Sequence, residues 1–185
     1  TVVDGMLFPV LAEKDRVRSV PTVIINDQFR WTGTISIREI IEALTHRNPS
    51  MLGRTALQRI LLEEEGGVFN LVAMIERQAK IFPAFYELLL EETFTTRLAA
   101  MVVMESLIEA DLALAQTAIK PIQDGFSDAA DQVKGDLLYI LGELKSNNIR
   151  PFLNEIINGD YLEEVKEAAL EAVEKIENKP PPAGT

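Results

Sequence analysis

The chain has 185 residues, enough for one large domain or two small ones. Hydrophobic residues make up 47% of it and charged residues 25%, a balance typical of globular proteins. No stretch approaches the ~20 uncharged apolar residues of a membrane-spanning helix, and no signal segment is expected, so we expect no membrane association. The chain contains no cysteine, which excludes a disulfide, a thiolate nucleophile and a cysteine-ligated metal site and is typical of a cytoplasmic protein.

The net charge of −11 is unevenly distributed along the chain. Residues 1–50 contain six basic and six acidic residues, whereas residues 51–185 contain 12 basic and 23 acidic residues. A surface this acidic repels the phosphate backbone of DNA or RNA. We therefore expect no nucleic acid among the partners of this protein.

The sequence of the N-terminal part predicts five elements in the order strand, helix, strand, strand, helix. They are expected at residues 1–3, 6–16, 22–25, 29–31 and 35–44. The run TVII is uninterrupted and apolar, which is typical of a strand buried on both faces. Asn26 and Asp27 predict a turn before the next strand, and Gly33 ends that strand. The isoleucines after it recur at the spacing of an amphipathic helix.

The stretch DGMLFPVLAEKDRVRSVPTVIINDQFRWTG (4–33), with the helix after it, resembles the C-terminal half of a thioredoxin or glutaredoxin domain. The resemblance covers about a quarter of the chain. In that family, the bond before the proline that opens this strand is cis, and the preceding residue pairs its backbone with an extended substrate peptide. The resemblance thus implies that Val20 and Pro21 form a substrate-binding lip. The alternative is a trans proline that opens an edge strand.

This sequence departs from the family because the half with the Cys-x-x-Cys turn is absent. The missing first strand would lie between the predicted strands at 1–3 and 22–25, which would otherwise have unpaired backbone groups. We expect either further N-terminal residues in a parent protein or a strand supplied by a partner chain. An unpaired sheet edge also makes a homodimer possible.

From about Pro49 onward the apolar residues recur at helical spacing. The predicted helices cover 52–62, 68–79, 84–90, 97–108, 112–122, 132–144, 149–157 and 162–176. Pro83 and Pro151 stand where a first helical turn accepts proline. The final stretch, 179–185, is rich in proline and is expected to be a disordered tail.

Three of these helices form an internal repeat. The segments RLAAMVVMESL (97–107), KGDLLYILGEL (134–144) and KEAALEAVEKI (166–176) align without gaps, and a basic residue opens each. Offsets of 37 and 32 residues, with a shorter helix after the second segment, are close to the armadillo/HEAT period. Residues 133–176 resemble a pair of short bacterial HEAT repeats, in which the position of Asp136 often bonds the neighbouring repeat. A generic helical bundle is the alternative.

Candidate catalytic or metal-binding groups are weak. His46 and Glu42 are four residues apart, but a solvated histidine at a helix end explains them better. The acidic run at 63–65 is more typical of a solvated face than of a cation site. We therefore predict no catalytic residue, no cofactor and no metal. Core packing is the favoured explanation for four methionines: Met51, Met74, Met101 and Met104. Trp31 is expected to be half-exposed and to pack at the seam between the two parts of the chain rather than to bind a ligand.

The expected fold is thus a partial α+β thioredoxin-like domain (1–47) followed by an all-α HEAT-like solenoid (49–178). The first functional hypothesis is a fragment of a thioredoxin-family protein whose parent performs thiol–disulfide exchange, while the solenoid binds a protein or peptide partner. This chain alone, without cysteine, is expected to be inactive. The second hypothesis is a non-catalytic protein-binding scaffold, since a fold does not determine a function.

Overall fold

The computed structural model describes residues 2–15, 17, 20–25, 29–33, 36–38, 40–41 and 49–177. The backbone divides into two compact units, Thr1–Pro49 and Ser50–Thr185. Each unit is described separately below.

The first unit contains a β-hairpin. Strand β1 (Thr22–Ile25) pairs antiparallel with strand β2 (Phe29–Thr32), and Val23 lies opposite Trp31. The hairpin predicted from the sequence is therefore present, and Gly33 follows it with a φ of 80°, a conformation that glycine adopts without strain. Residues 37, 38, 40 and 41 are helical.

Three expectations for the first unit are wrong. Residues 2 and 3 form no strand, and the first helix, α1 (Pro9–Lys14), begins later than predicted. The reason is local: a side-chain oxygen of Asp4 accepts the backbone N–H of Met6 at 2.8 Å, a bond that favours a turn over a strand. The four residues of β1 are half-buried rather than fully buried, because the sheet has only two strands among the residues described.

The second unit is helical. Between residues 50 and 177 the helices are α2 (Arg54–Glu63), α3 (Gly67–Gln78), α4 (Pro83–Leu89), α5 (Phe94–Ala110), α6 (Leu112–Ala115), α7 (Ile119–Phe126), α8 (Asp131–Glu143), α9 (Arg150–Asn158) and α10 (Glu163–Glu177). Seven of the eight predicted helices are confirmed, each within three residues at either end. The proposed tail at 179–185 lies outside the described residues.

The predicted helix at 112–122 is instead broken into α6, a 3₁₀ turn (Gln116–Ala118) and α7. Asp111 caps α6 by accepting the backbone N–H of Leu114 at 3.0 Å. Pro121 lies in the first turn of α7, where its missing N–H is tolerated. One continuous helix would place this proline in its interior, at a cost of ~3 kcal/mol.

The repeat-aligned helices pack in chain order, α5 on α8 and α8 on α10, while α9 packs on α10. The shorter helices also meet, since the rings of Phe126 in α7 and Phe152 in α9 are 5.2 Å apart in an edge-to-face arrangement. At the α8–α10 crossing, a Cβ added to Gly142 would lie 3.0 Å from Cα of Ala172. A residue without a side chain at position 142 therefore permits the close approach of the two helices.

Some of the aligned apolar positions share their burial in all three helices. Three positions are buried in every copy: Ala100, Leu137 and Ala169; Val103, Ile140 and Ala172; Leu107, Leu144 and Ile176. Full burial of each larger side chain stabilises the fold by about 1.5–3 kcal/mol. One continuous apolar core thus runs through the three helices.

Candidate functional site

The predicted lip is at the start of the hairpin. The Val20–Pro21 peptide bond is cis, and the Val20 side chain is 77% exposed. The carbonyl of Pro21 accepts the backbone N–H of Gly33 at 2.9 Å, so the hairpin begins directly after the lip. In the described part of the first unit, β1 has β2 as its strand partner and no other.

Of the other sequence candidates, the acidic run at 63–65 lies among the described residues. His46 and Glu42 lie outside the described residues. Glu63 and Glu65 are exposed and Glu64 is half-buried. Over the described ranges, no group of three or more histidines and carboxylates could hold a metal ion.

The methionines and Trp31 agree with the predictions from the sequence only in part. Met104 is fully buried and Met74 and Met101 are half-buried, but Met51 is exposed. Trp31 was expected to be half-exposed and is in fact buried.

A buried arginine links α5 to α8. The Arg97 side chain is 4% exposed, and its Nε donates to Oδ2 of Asp136 at 2.6 Å. Its Nη1 donates to the carbonyls of Glu91 and Glu92 at 2.7 and 3.0 Å. The guanidinium therefore holds the turn before α5 and bonds the next aligned helix. Asp136 thus bonds a neighbouring aligned helix.

A second polar chain crosses all three aligned helices. The Tyr139 hydroxyl on α8 donates to Oε1 of Glu105 on α5 at 2.8 Å. Lys175 on α10 places Nζ 3.9 Å from the centroid of the Tyr139 ring and donates to Glu143 at 2.5 Å. The bond to the Glu105 carboxylate, together with burial and the negative charges of Glu105 and Glu143, raises the pKa of Tyr139 to about 12. These contacts fix the ring on the surface.

Apolar side chains remain exposed on α5, the helix to which Tyr139 bonds. Phe94 is 61%, Leu98 45% and Val102 38% exposed. The Tyr139 hydroxyl bonds Glu105, which lies one turn beyond Val102 on α5. We call these four residues the α5–α8 face: Phe94, Leu98, Val102 and Tyr139.

Sequence reasoning aligned Arg97 with the other basic residues that open each repeat but assigned it no role. The aligned position of Arg97 could have indicated a structural role, because Lys134 at the same position of α8 is also buried. Nζ of Lys134 lies 5.6 Å from the centroid of the Tyr161 ring. The Glu105–Tyr139–Lys175 contacts had no signal in the sequence, since their partners are more than 30 residues apart.

When the chain is compared with models of protein families, with curated proteins and with solved structures, none of the three comparisons finds a match. Among the described helices, none is both long enough and apolar enough to cross a membrane.

Proposed function

We propose that this chain is a protein-binding module in which HEAT-like helical repeats follow half of a thioredoxin-like domain, and that the chain alone has no thiol chemistry. The observation that carries the proposal is the shared burial of aligned positions in α5, α8 and α10, as in Val103, Ile140 and Ala172. A repeat that cannot bury its apolar face alone does so by stacking on its neighbours. Stacked repeats present extended surfaces to partner proteins.

The acidic composition of residues 51–185 supports a protein partner over a nucleic acid. The absence of cysteine supports a reducing compartment, and we propose the cytoplasm.

The test has two steps, both with the full chain. A protein captured by the immobilised chain is purified on its own, and its affinity is measured by titration calorimetry. Chemical cross-linking and mass spectrometry of the complex then locate the contact. The proposal expects saturable binding with cross-links to residues 50–177; cross-links confined to the first unit would contradict it.

A second candidate function is thiol–disulfide exchange in a parent protein of which this chain is a fragment. The observation that favours it is the exposed Val20, which precedes Pro21 and β1, a strand with one partner among the described residues. An extended peptide can add to such an edge through backbone hydrogen bonds. In this proposal Val20 and Pro21 form the lip that receives the substrate peptide, and the same edge can pair two copies of the chain.

The sequence of the gene upstream of Thr1 tests the second candidate. A Cys-x-x-Cys about 45–60 residues before Pro21 would support it, since a strand, a helix and a strand occupy that distance. An insulin-reduction assay is then run on the longer protein and on this chain. Disulfide exchange is expected for the longer protein and not for this chain. Turnover by this chain would contradict the proposal that it has no thiol chemistry.

A further inference from the structure

The exposed apolar residues of α5 continue into an acidic surface on the same side of the helix. At 3.6 residues per turn, Phe94, Leu98, Val102, Glu105 and Glu109 lie within about 80° of one another around the axis. The apolar row from Phe94 to Val102 is about 12 Å long at 1.5 Å per residue. Tyr139 of α8 bonds Glu105, one turn beyond the end of this row. The apolar row is as long as roughly two turns of a docked helix.

Acidic side chains outnumber basic ones around the α5–α8 face and are more exposed. Arg97 is the basic residue of α5, and it is buried against Asp136. Lys134 is the basic residue of α8, and it is also buried, with its Nζ 3.2 Å from Asp131. Their acidic residues, in contrast, are exposed or half-buried: Glu105, Glu109, Asp131, Asp136 and Glu143. The nearby Lys175 is occupied by Glu143 and by the Tyr139 ring.

We propose that the α5–α8 face binds a basic amphipathic helix of a partner protein, an inference that rests on the proposed protein-binding function and names the surface and the partner's chemistry. The apolar side of the partner helix contacts Phe94, Leu98 and Val102, as in helix-in-groove recognition. Its lysines and arginines meet Glu105 and Glu109, which determine orientation and speed association. Tyr139 is held in place by Glu105 and Lys175 before binding, so little side-chain freedom is lost there.

A second copy of the chain is a poor occupant of this face. The same face of a second copy offers no free basic side chain to Glu105 and Glu109, because Arg97 and Lys134 are buried and Lys175 is bonded to Glu143. Carboxylates brought to an interface without a cation are costly. Anionic lipid surfaces are repelled for the same reason. Charge complementarity therefore selects a cationic helix.

The experiment uses the full chain and a fluorescein-labelled peptide of leucine and lysine, about 14 residues or four helical turns long, with leucine on one face. Fluorescence anisotropy measures binding, and a peptide with glutamate in place of lysine is the charge control. The test variant is Leu98→Ser with Val102→Ser. The matched control is Leu162→Ser with Leu170→Ser, which replaces two other exposed leucines. Phe94 is left unchanged because Arg97 lies 5.7 Å from its ring centroid.

The lysine peptide is expected to bind, the glutamate peptide not, and the test variant is expected to weaken binding about tenfold or more. The control variant is expected to bind as the unchanged chain does, and far-UV circular dichroism checks that both variants are folded. Equal loss in both variants, no binding of the lysine peptide, or a dimer of the unchanged chain that Leu98→Ser disrupts would each overturn the inference. If a natural partner binds the test variant normally, the face is wrong while the proposed function stands.

Discussion

Nε of Arg97 lies 2.6 Å from Oδ2 of Asp136, 39 residues further along the chain. This bond joins two helices that occupy equivalent places in the repeat. Because the arginine side chain is 4% exposed and that of Asp136 30%, the pair is held mostly out of water. The arginine cannot lose its charge, so it depends on this carboxylate and on the two backbone carbonyls before α5.

Replacing Asp136 with alanine is expected to lower the free energy of unfolding by about 2–3 kcal/mol, somewhat less than the 3–5 kcal/mol typical of breaking a fully buried pair. The cause is the unpaired guanidinium left between α5 and α8. Urea denaturation of the full chain measures the change. The control is Lys120→Ala, which removes the exposed Lys120–Asp124 pair and should cost less than about 1 kcal/mol. Similar costs for the two variants would contradict the role given to Arg97.

Two glycines of α8 provide a matched test of the helix crossing. Gly142→Ala is expected to destabilise the chain by about 1–3 kcal/mol through overpacking, because the new Cβ would lie 3.0 Å from Cα of Ala172 and 3.2 Å from Cδ of Lys175. Gly135→Ala meets nothing within 4 Å and is expected to stabilise it by about 0.5–1 kcal/mol through helix propensity. Thermal unfolding followed by circular dichroism should move the two midpoints in opposite directions. A shift in the same direction for both would show that α8 and α10 do not cross closely at Gly142.

Tyr139, the tyrosine on the α5–α8 face, should lose its proton at a higher pH than an ordinary tyrosine. The pKa of Tyr139 is raised to about 12 from the ordinary 10.0, chiefly by its hydrogen bond to Glu105. A raised pKa in the folded chain contributes stability that is complete below pH 10 and is lost as the pH rises towards 12. Phenolate absorbance near 295 nm follows the titration, and Glu105→Gln should move this midpoint down. Because burial also raises the pKa of Tyr86, a difference titration against Tyr139→Phe assigns the signal. An unchanged midpoint in Glu105→Gln would rule out the bond.

The cap of the short helix α6 is also testable. Asp111→Ala removes the acceptor for the backbone N–H of Leu114 and should cost about 0.5–2 kcal/mol of stability. Asp111→Ser keeps an oxygen that can accept the same bond and should recover most of the loss. Chemical denaturation compares the three proteins. Equal stability of the alanine and serine variants would mean that the cap contributes nothing.

Local features of the sequence predicted the helices well because helical periodicity, Pro83 and Pro151 in first turns, and the glycines before α3 act within a few residues. Pro121 is an equally local signal. Its place in the first turn of α7 explains why the helix predicted at 112–122 is broken. The hairpin was likewise evident from a turn between two β-branched or aromatic runs.

The sequence by itself thus determined which segments of 50–177 are helical and that no cysteine chemistry is possible in this chain. Helix α5 shows what it could not determine: its apolar residues surround the axis, so periodicity does not say whether Val103 or Val102 faces the core. Packing of α5 against its neighbouring helices decided that Val103 is buried and Val102 exposed. The packing of α5 on α8 brought Arg97 to Asp136 and Tyr139 to Glu105, because contacts between residues far apart in the chain depend on how helices stack rather than on local propensity.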